Sequence, residues 1–133
     1  MKALGLNKDQ RLKSKKQIDR LFAKGNSFTV YPFRVLYQWA EPENAPVRFG
    51  VSVSKRIFKK AVDRNRLKRM TREAFRLQKE GLEKAVAAKG LGLELFFIYI
   101  HRGEPEFENL YAKAGSIIKK LIDGLNEDSK ADT

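Results

Sequence analysis

Positions 33, 35, 37 and 39 are Phe, Val, Tyr and Trp, with Arg34, Leu36 and Gln38 between them. Apolar side chains at every second position are the mark of a strand with one buried face, so the pattern predicts a strand over 33–39, inside a stretch that turns β-rich from Phe28. Val47, Phe49, Val51 and Val53 alternate in the same way with Arg48, Gly50, Ser52 and Ser54. The link Glu41-Pro42-Glu43-Asn44-Ala45-Pro46 is built of turn formers, and its shortness predicts that these two strands pair antiparallel. A third run, 93–101, is apolar on both faces, as expected of a central strand covered on both sides.

Between and around the strands the period changes. Ser14 is an N-cap candidate for a helix through Ile18, Leu21 and Phe22 that stops at Gly25. A long helix is predicted over 60–79, and Gly81 and Gly90/Gly92 bracket a short Ala-rich helical piece, 82–89. After Pro105, Leu110, Ala114, Ile117, Ile118, Leu121 and Ile122 mark the buried side of a last helix, 107–125. Residues 1–13 are basic and aperiodic and read as a mobile leader, and 126–133 as a flexible tail. The order α-β-β-α-β-α over 1–133 describes a single compact α+β domain.

Composition narrows the function. No cysteine is present, which excludes disulfides, thiolate metal sites and thiol catalysis. The N-terminus is Lys-rich without a long apolar run, and the most apolar stretch, 95–100, is far too short to span a bilayer. A soluble, cytoplasmic protein without a membrane partner is expected. Charge changes the picture most. The chain carries +12, and the window 55–79 holds eleven basic residues against Asp63 and Glu73, a net nine of those charges. Such a block is drawn to polyanions.

On the predicted 60–79 helix, Leu67, Met70, Thr71, Ala74, Leu77 and Gln78 share one side, with Phe75 at its margin. Asn65, Lys68, Arg69, Arg72, Arg76 and Lys79 share the other, flanked by Arg64 and Arg66. A merely solvated face usually interleaves acids one turn away, whereas here Glu73 is nearly alone. From 64 to 76 arginine outnumbers lysine five to one, and its planar fork bridges phosphate oxygens or stacks on a base. A membrane helix would need its apolar side free, but this one is required for the core. A duplex-DNA reader would place a helix-turn-helix here, and a β-hairpin stands ahead of the helix instead. RNA is the partner that fits, and DNA is not expected.

The segment Phe49-Gly50-Val51-Ser52-Val53-Ser54-Lys55-Arg56, followed by Ala61-Val62-Asp63-Arg64-Asn65-Arg66-Leu67-Lys68-Arg69-Met70-Thr71-Arg72-Glu73-Ala74-Phe75-Arg76, resembles the protein component of bacterial ribonuclease P. The likeness spans roughly 10–123. It implies a two-layer α/β sandwich, ribosomal protein S5 domain 2-like, with a left-handed βαβ crossover, against the usual right-handed rule. It implies one-to-one assembly with a catalytic RNA, contacted by Arg64, Asn65, Arg66, Lys68, Arg69, Arg72 and Arg76. It also implies a cleft between the first helix and the sheet for the 5′ leader of precursor tRNA. The matching positions there are Ile18, Phe22, Tyr37, Arg48, Lys55, Arg56, Lys60 and Arg102. Ile18 stands where the family usually has a second aromatic, and 81–92 is longer than the usual link.

No protein-borne chemistry is legible. The only histidine, His101, sits at a strand end without a partner motif, which suits packing or RNA contact better than catalysis. Asp63 reads as a helix N-terminal acid rather than a holder of hydrated Mg²⁺, and Glu104, Glu106 and Glu108 as a solvated loop. Catalysis is therefore expected of the RNA subunit, with Mg²⁺ held mainly there. The alternative is a general or ribosomal-type RNA-binding protein or chaperone.

Overall fold

The computed structural model describes residues 6, 8–12 and 14–131. Helix α1 is Lys15–Lys24, followed by strands β1 (Asn26–Val30), β2 (Phe33–Ala40) and β3 (Val47–Val53). Helices α2 (Ala61–Arg76) and α3 (Glu80–Ala88) lead to β4 (Gly92–Tyr99) and α4 (Phe107–Ala131). The four strands lie in the order β1-β2-β4-β3. The α+β architecture is the expected one, but the order is α-β-β-β-α-α-β-α, with β1 and α3 as separate elements.

The predicted hairpin is not formed. β2 pairs antiparallel with β1 through the turn at Tyr31-Pro32, and antiparallel with β4 on its other side. β3 pairs parallel with β4, so α2 and α3 are the crossover between parallel neighbours. The short 41–46 link carries the chain past the place β4 fills, because β4 has apolar residues for both faces and is worth more at the centre.

The two faces of the sheet are covered unequally. Phe33, Val35, Phe49, Leu95 and Phe97 meet Leu67, Ala74 and Phe75 of α2, Leu82 and Val86 of α3, and Leu110, Ile117 and Leu121 of α4. Phe49 and Phe75 stack at 4.2 Å, 7° from parallel, with Phe97 edge-on to Phe49 at 4.8 Å. Phe75 is thus the anchor of α2 rather than a marginal residue. Leu77 is 49% exposed, because the helix ends at Arg76 and 77–79 turn into α3. On the other face a smaller cluster, Leu12, Leu21, Leu36 and Phe96 with Ile18 and Ile98, seats α1.

The basic leader is partly built into the fold. Leu6 and Leu12 are buried, Lys8–Gln10 forms a 3₁₀ turn, and Leu12 N–H donates to Phe49 O at 2.9 Å. Isolated leucines among lysines carry no period, which is why this contact is silent in the sequence. Of the expected tail, 126–131 continues α4 as helix, and 132–133 lie outside the described residues. Gly50 makes the N-terminal crossing possible. A Cβ there would lie 2.7 Å from a Phe96 ring carbon and 3.0 Å from Leu12 O. Gly50→Ala is expected to cost about 1–3 kcal/mol by overpacking, read as a lower urea midpoint. An unchanged midpoint would mean that the segment does not cross here in solution.

Candidate nucleic-acid interface

Because Leu67, Thr71, Ala74 and Phe75 hold one side of α2 against the core, its opposite side faces out. The seven expected contact residues do not behave alike. Arg64 is turned inward, its Nη1 donating to Phe58 O at 2.9 Å and Lys59 O at 2.8 Å, so it fastens the helix to the loop before it. Arg66 pairs with exposed Glu104 at 3.0 Å, and Arg76 forms a two-point pair with Glu73 at 2.7 and 2.8 Å. The exposed Arg66–Glu104 pair holds loosely and can be exchanged for phosphate, whereas the Arg76 pair is partly buried. Asn65 and Arg69 are exposed, and Lys68 and Arg72 half-buried.

Arg69 and Arg72 meet Arg11 from the N-terminal segment around a hollow of about 120 Å³ that Leu6, Glu73 and Arg76 complete. Among the described residues Arg11, Arg69 and Arg72 have no carboxylate partner. Burial, then the neighbouring cations Arg11 and Arg69, hold the Arg72 guanidinium below its usual pKa. A cluster that repels itself in this way is set for a polyanion. Sequence reasoning misses Arg11 as a site residue, because it is distant along the chain and lies in a segment without pattern.

The expected cleft lies on the α1 face. Phe22 is 55% exposed and stands edge-on over Phe96, ring centroids 5.7 Å apart. Ile18 and Ile98 pack beside them, and Arg34 and Ser52 occupy the strand positions that flank Ile98. Lys55, Arg56 and Lys60 are exposed on the loop leaving β3, at the sheet end where β4 also leaves toward exposed Arg102.

Of the expected cleft residues, Tyr37 lies on the other face of the sheet, and Arg48 lies on the α1 face but is buried. Tyr37 projects from the opposite face, edge-on to Phe28 at 5.6 Å and Trp39 at 5.9 Å, in a groove closed by Lys120 and Leu121 of α4. Leu36, not Tyr37, shares the α1 face with Phe96. Arg48 is buried at 7% exposure, its Nη2 3.1 Å from Glu94 and its Nη1 3.2 Å from Glu43. Glu94, 1% exposed in the middle of the apolar β4, also accepts from Arg20 of α1 at 3.4 Å.

At the sheet end, His101 Nδ1 lies 2.6 Å from the Tyr31 hydroxyl. Burial, helped by Tyr31 and Glu104, pushes the neighbouring Tyr99 hydroxyl up to about 12. Among the described residues no three His, Asp or Glu side chains converge as a metal cage.

The sequence profile of the family named Ribonuclease P matches residues 6–122. The chain belongs to the ribonuclease P protein family. It is 36% identical over 107 residues to the ribonuclease P protein component of Porphyromonas gingivalis, covering 80% of this chain and 78% of that one. It is 35% identical over 120 residues to that of Chlorobaculum tepidum, covering 83% and 78%. The solved ribonuclease P protein from Thermotoga maritima superimposes with a TM-score of 0.67 at 25% identity, over 83% of this chain and 96% of that one. With the family comes its function: a protein subunit of a ribonucleoprotein endoribonuclease in tRNA 5′ processing, with an RNA subunit and tRNA as partners. Among the described residues no helix is long and apolar enough to cross a membrane.

Proposed function

We propose that the outer face of α2, together with Arg11, docks one-to-one on the catalytic RNA, and that the α1 cleft takes the single-stranded 5′ leader of precursor tRNA in the cytoplasm. The observation that carries the docking is the set of three guanidiniums, Arg11, Arg69 and Arg72, that no carboxylate balances among the described residues. Asn65, Arg66, Lys68 and Arg76 extend the same contact. Arg64 contributes by holding the helix start, its Nη1 shared between two carbonyls.

For the leader the support is Phe22, an aromatic ring left more than half exposed above an apolar floor. Stacking a base on such a ring is indifferent to sequence, as a substrate with variable leaders requires. Lys55, Arg56, Lys60 and Arg102 supply backbone charge at the adjoining sheet end. Arg34, exposed on the same face, joins them. Phosphodiester hydrolysis is assigned to the RNA subunit, where Mg²⁺ supplies charge neutralisation and an activated water. The protein's own part is to bind, orient and screen.

Phe22→Ala is expected to lower the preference of the assembled enzyme for precursor over mature tRNA about tenfold, within the range of one lost base stack. The measurement is equilibrium binding of both tRNAs at low Mg²⁺. A preference equal to that of the unsubstituted protein would place the leader elsewhere. An equal loss for all RNAs would favour a general RNA chaperone.

A further inference from the structure

Helix α1 is held to the sheet by little apolar surface. Leu21 is its only buried residue, and Ile18 is half-buried beside it. What else joins helix to sheet is a pair of rungs. Phe22 rests edge-on against Phe96, and Arg20 donates to Glu94 at 3.4 Å. Arg20 and Phe22 flank Leu21, the buried residue of α1, on opposite sides of the helix, while Glu94 and Phe96, two apart on β4, share one face of the strand. The ionic rung on one flank of α1 therefore bears on how the helix tilts over β4, and so on how much room lies beneath Phe22 on the other flank.

Resting on the leader-cleft reading above, we propose that Arg20 and Glu94 are positioning residues, which fix α1 over β4 and so set the opening of the leader site. Two further observations support this. Arg48 already supplies Glu94 with a buried counter-charge at 3.1 Å, so the Arg20 link is not needed to neutralise the acid, and what it adds is placement. The second oxygen of Glu94, Oε1, is buried without a donor among the described residues, as is Gln38 Oε1 at the strand position directly opposite.

The test uses the enzyme assembled with its RNA subunit and compares precursor with mature tRNA. Arg20→Gln removes the donor from a half-exposed position without disturbing the Arg48–Glu94 pair. Glu94→Asp keeps a negative charge on the strand, shortens its reach toward Arg20 and Arg48, which share Oε2 at 3.4 and 3.1 Å, and leaves Arg20 its full charge, with its fold checked by a thermal melt. Each is expected to reduce the precursor preference about three- to fivefold, the scale of one partly exposed ion pair. The double variant should lose no more than either alone, Arg20→Lys should restore most of the preference, and affinity for the RNA subunit should not move.

If Arg20 instead touched a leader phosphate directly, Arg20→Gln would lose affinity with a shallower salt dependence, while Glu94→Asp would lose nothing; that pattern overturns the proposal. So would a full precursor preference in Arg20→Gln, whose fold is checked by its thermal melt. The parent reading fails separately. If Phe22→Ala is also without effect, the cleft assignment itself falls, whereas loss in Phe22→Ala alone sinks only the positioning role.

Discussion

Glu94→Ala is expected to cost about 3–5 kcal/mol of folding stability, the usual penalty for stranding one partner of a buried ion pair. The Arg48 side chain is 8% exposed and cannot shed its charge, so losing Glu94 leaves a guanidinium in a nearly dry site. Glu43 would remain 3.2 Å away, but its side chain is 54% exposed and hydrated, and a half-solvated partner makes up little of the loss. Small domains are stable by about 5–15 kcal/mol, so this one change takes up a large share of the margin. Urea unfolding at 25 °C measures it directly. The companion variant Arg48→Met with Glu94→Leu should recover most of the loss, because the cost lies in the stranded charge rather than in a missing attraction. A Glu94→Ala chain within about 1 kcal/mol of the unsubstituted protein would mean that water reaches Arg48 after all.

The same pair shows where the sequence can be read and where it cannot. Alternation from Phe33 to Trp39 and from Val47 to Val53 locates β2 and β3, and the largely apolar run locates β4 at the centre. Period alone sorts residues into two faces without saying which face receives α1. That choice depends on where the N-terminal segment crosses Gly50, and it places Leu36 rather than Tyr37 in the cleft. Strand partners are a property of the whole sheet, so a short link is a poor guide to pairing. Glu94 sits between Leu93 and Leu95, where an acid reads as an exception, and only the register that puts it across from Arg48 explains it. The motif around Arg64–Arg76 is legible because its spacing is local to one helix. The division of its arginines into structural, paired and unbalanced is not, since Phe58, Glu104 and Arg11 come from three other places in the chain.

That division leads to the prediction with the largest functional effect. Replacing Arg11, Arg69 and Arg72 together by glutamine is expected to weaken binding of the catalytic RNA about 100-fold or more, at roughly 1 kcal/mol or more for each charge-assisted hydrogen bond to phosphate that disappears. Counterion release fixes a second signature. The slope of log affinity against log salt should become shallower by about two to three, one ion for each phosphate no longer neutralised. The free protein should respond in the opposite sense. Arg72 is disfavoured in its charged form by burial and by its neighbours Arg11 and Arg69, so relieving that repulsion should leave the RNA-free chain equally stable or slightly more so. Core residues behave otherwise, since their loss lowers stability and binding together. Affinity titrations across a salt series, paired with urea melts of the free protein, separate the two outcomes. Weaker binding with unimpaired folding is what an interface predicts. A triple variant that binds as tightly as before, or that loses binding only by unfolding, would remove the arginine cluster from the interface and send the RNA to another face.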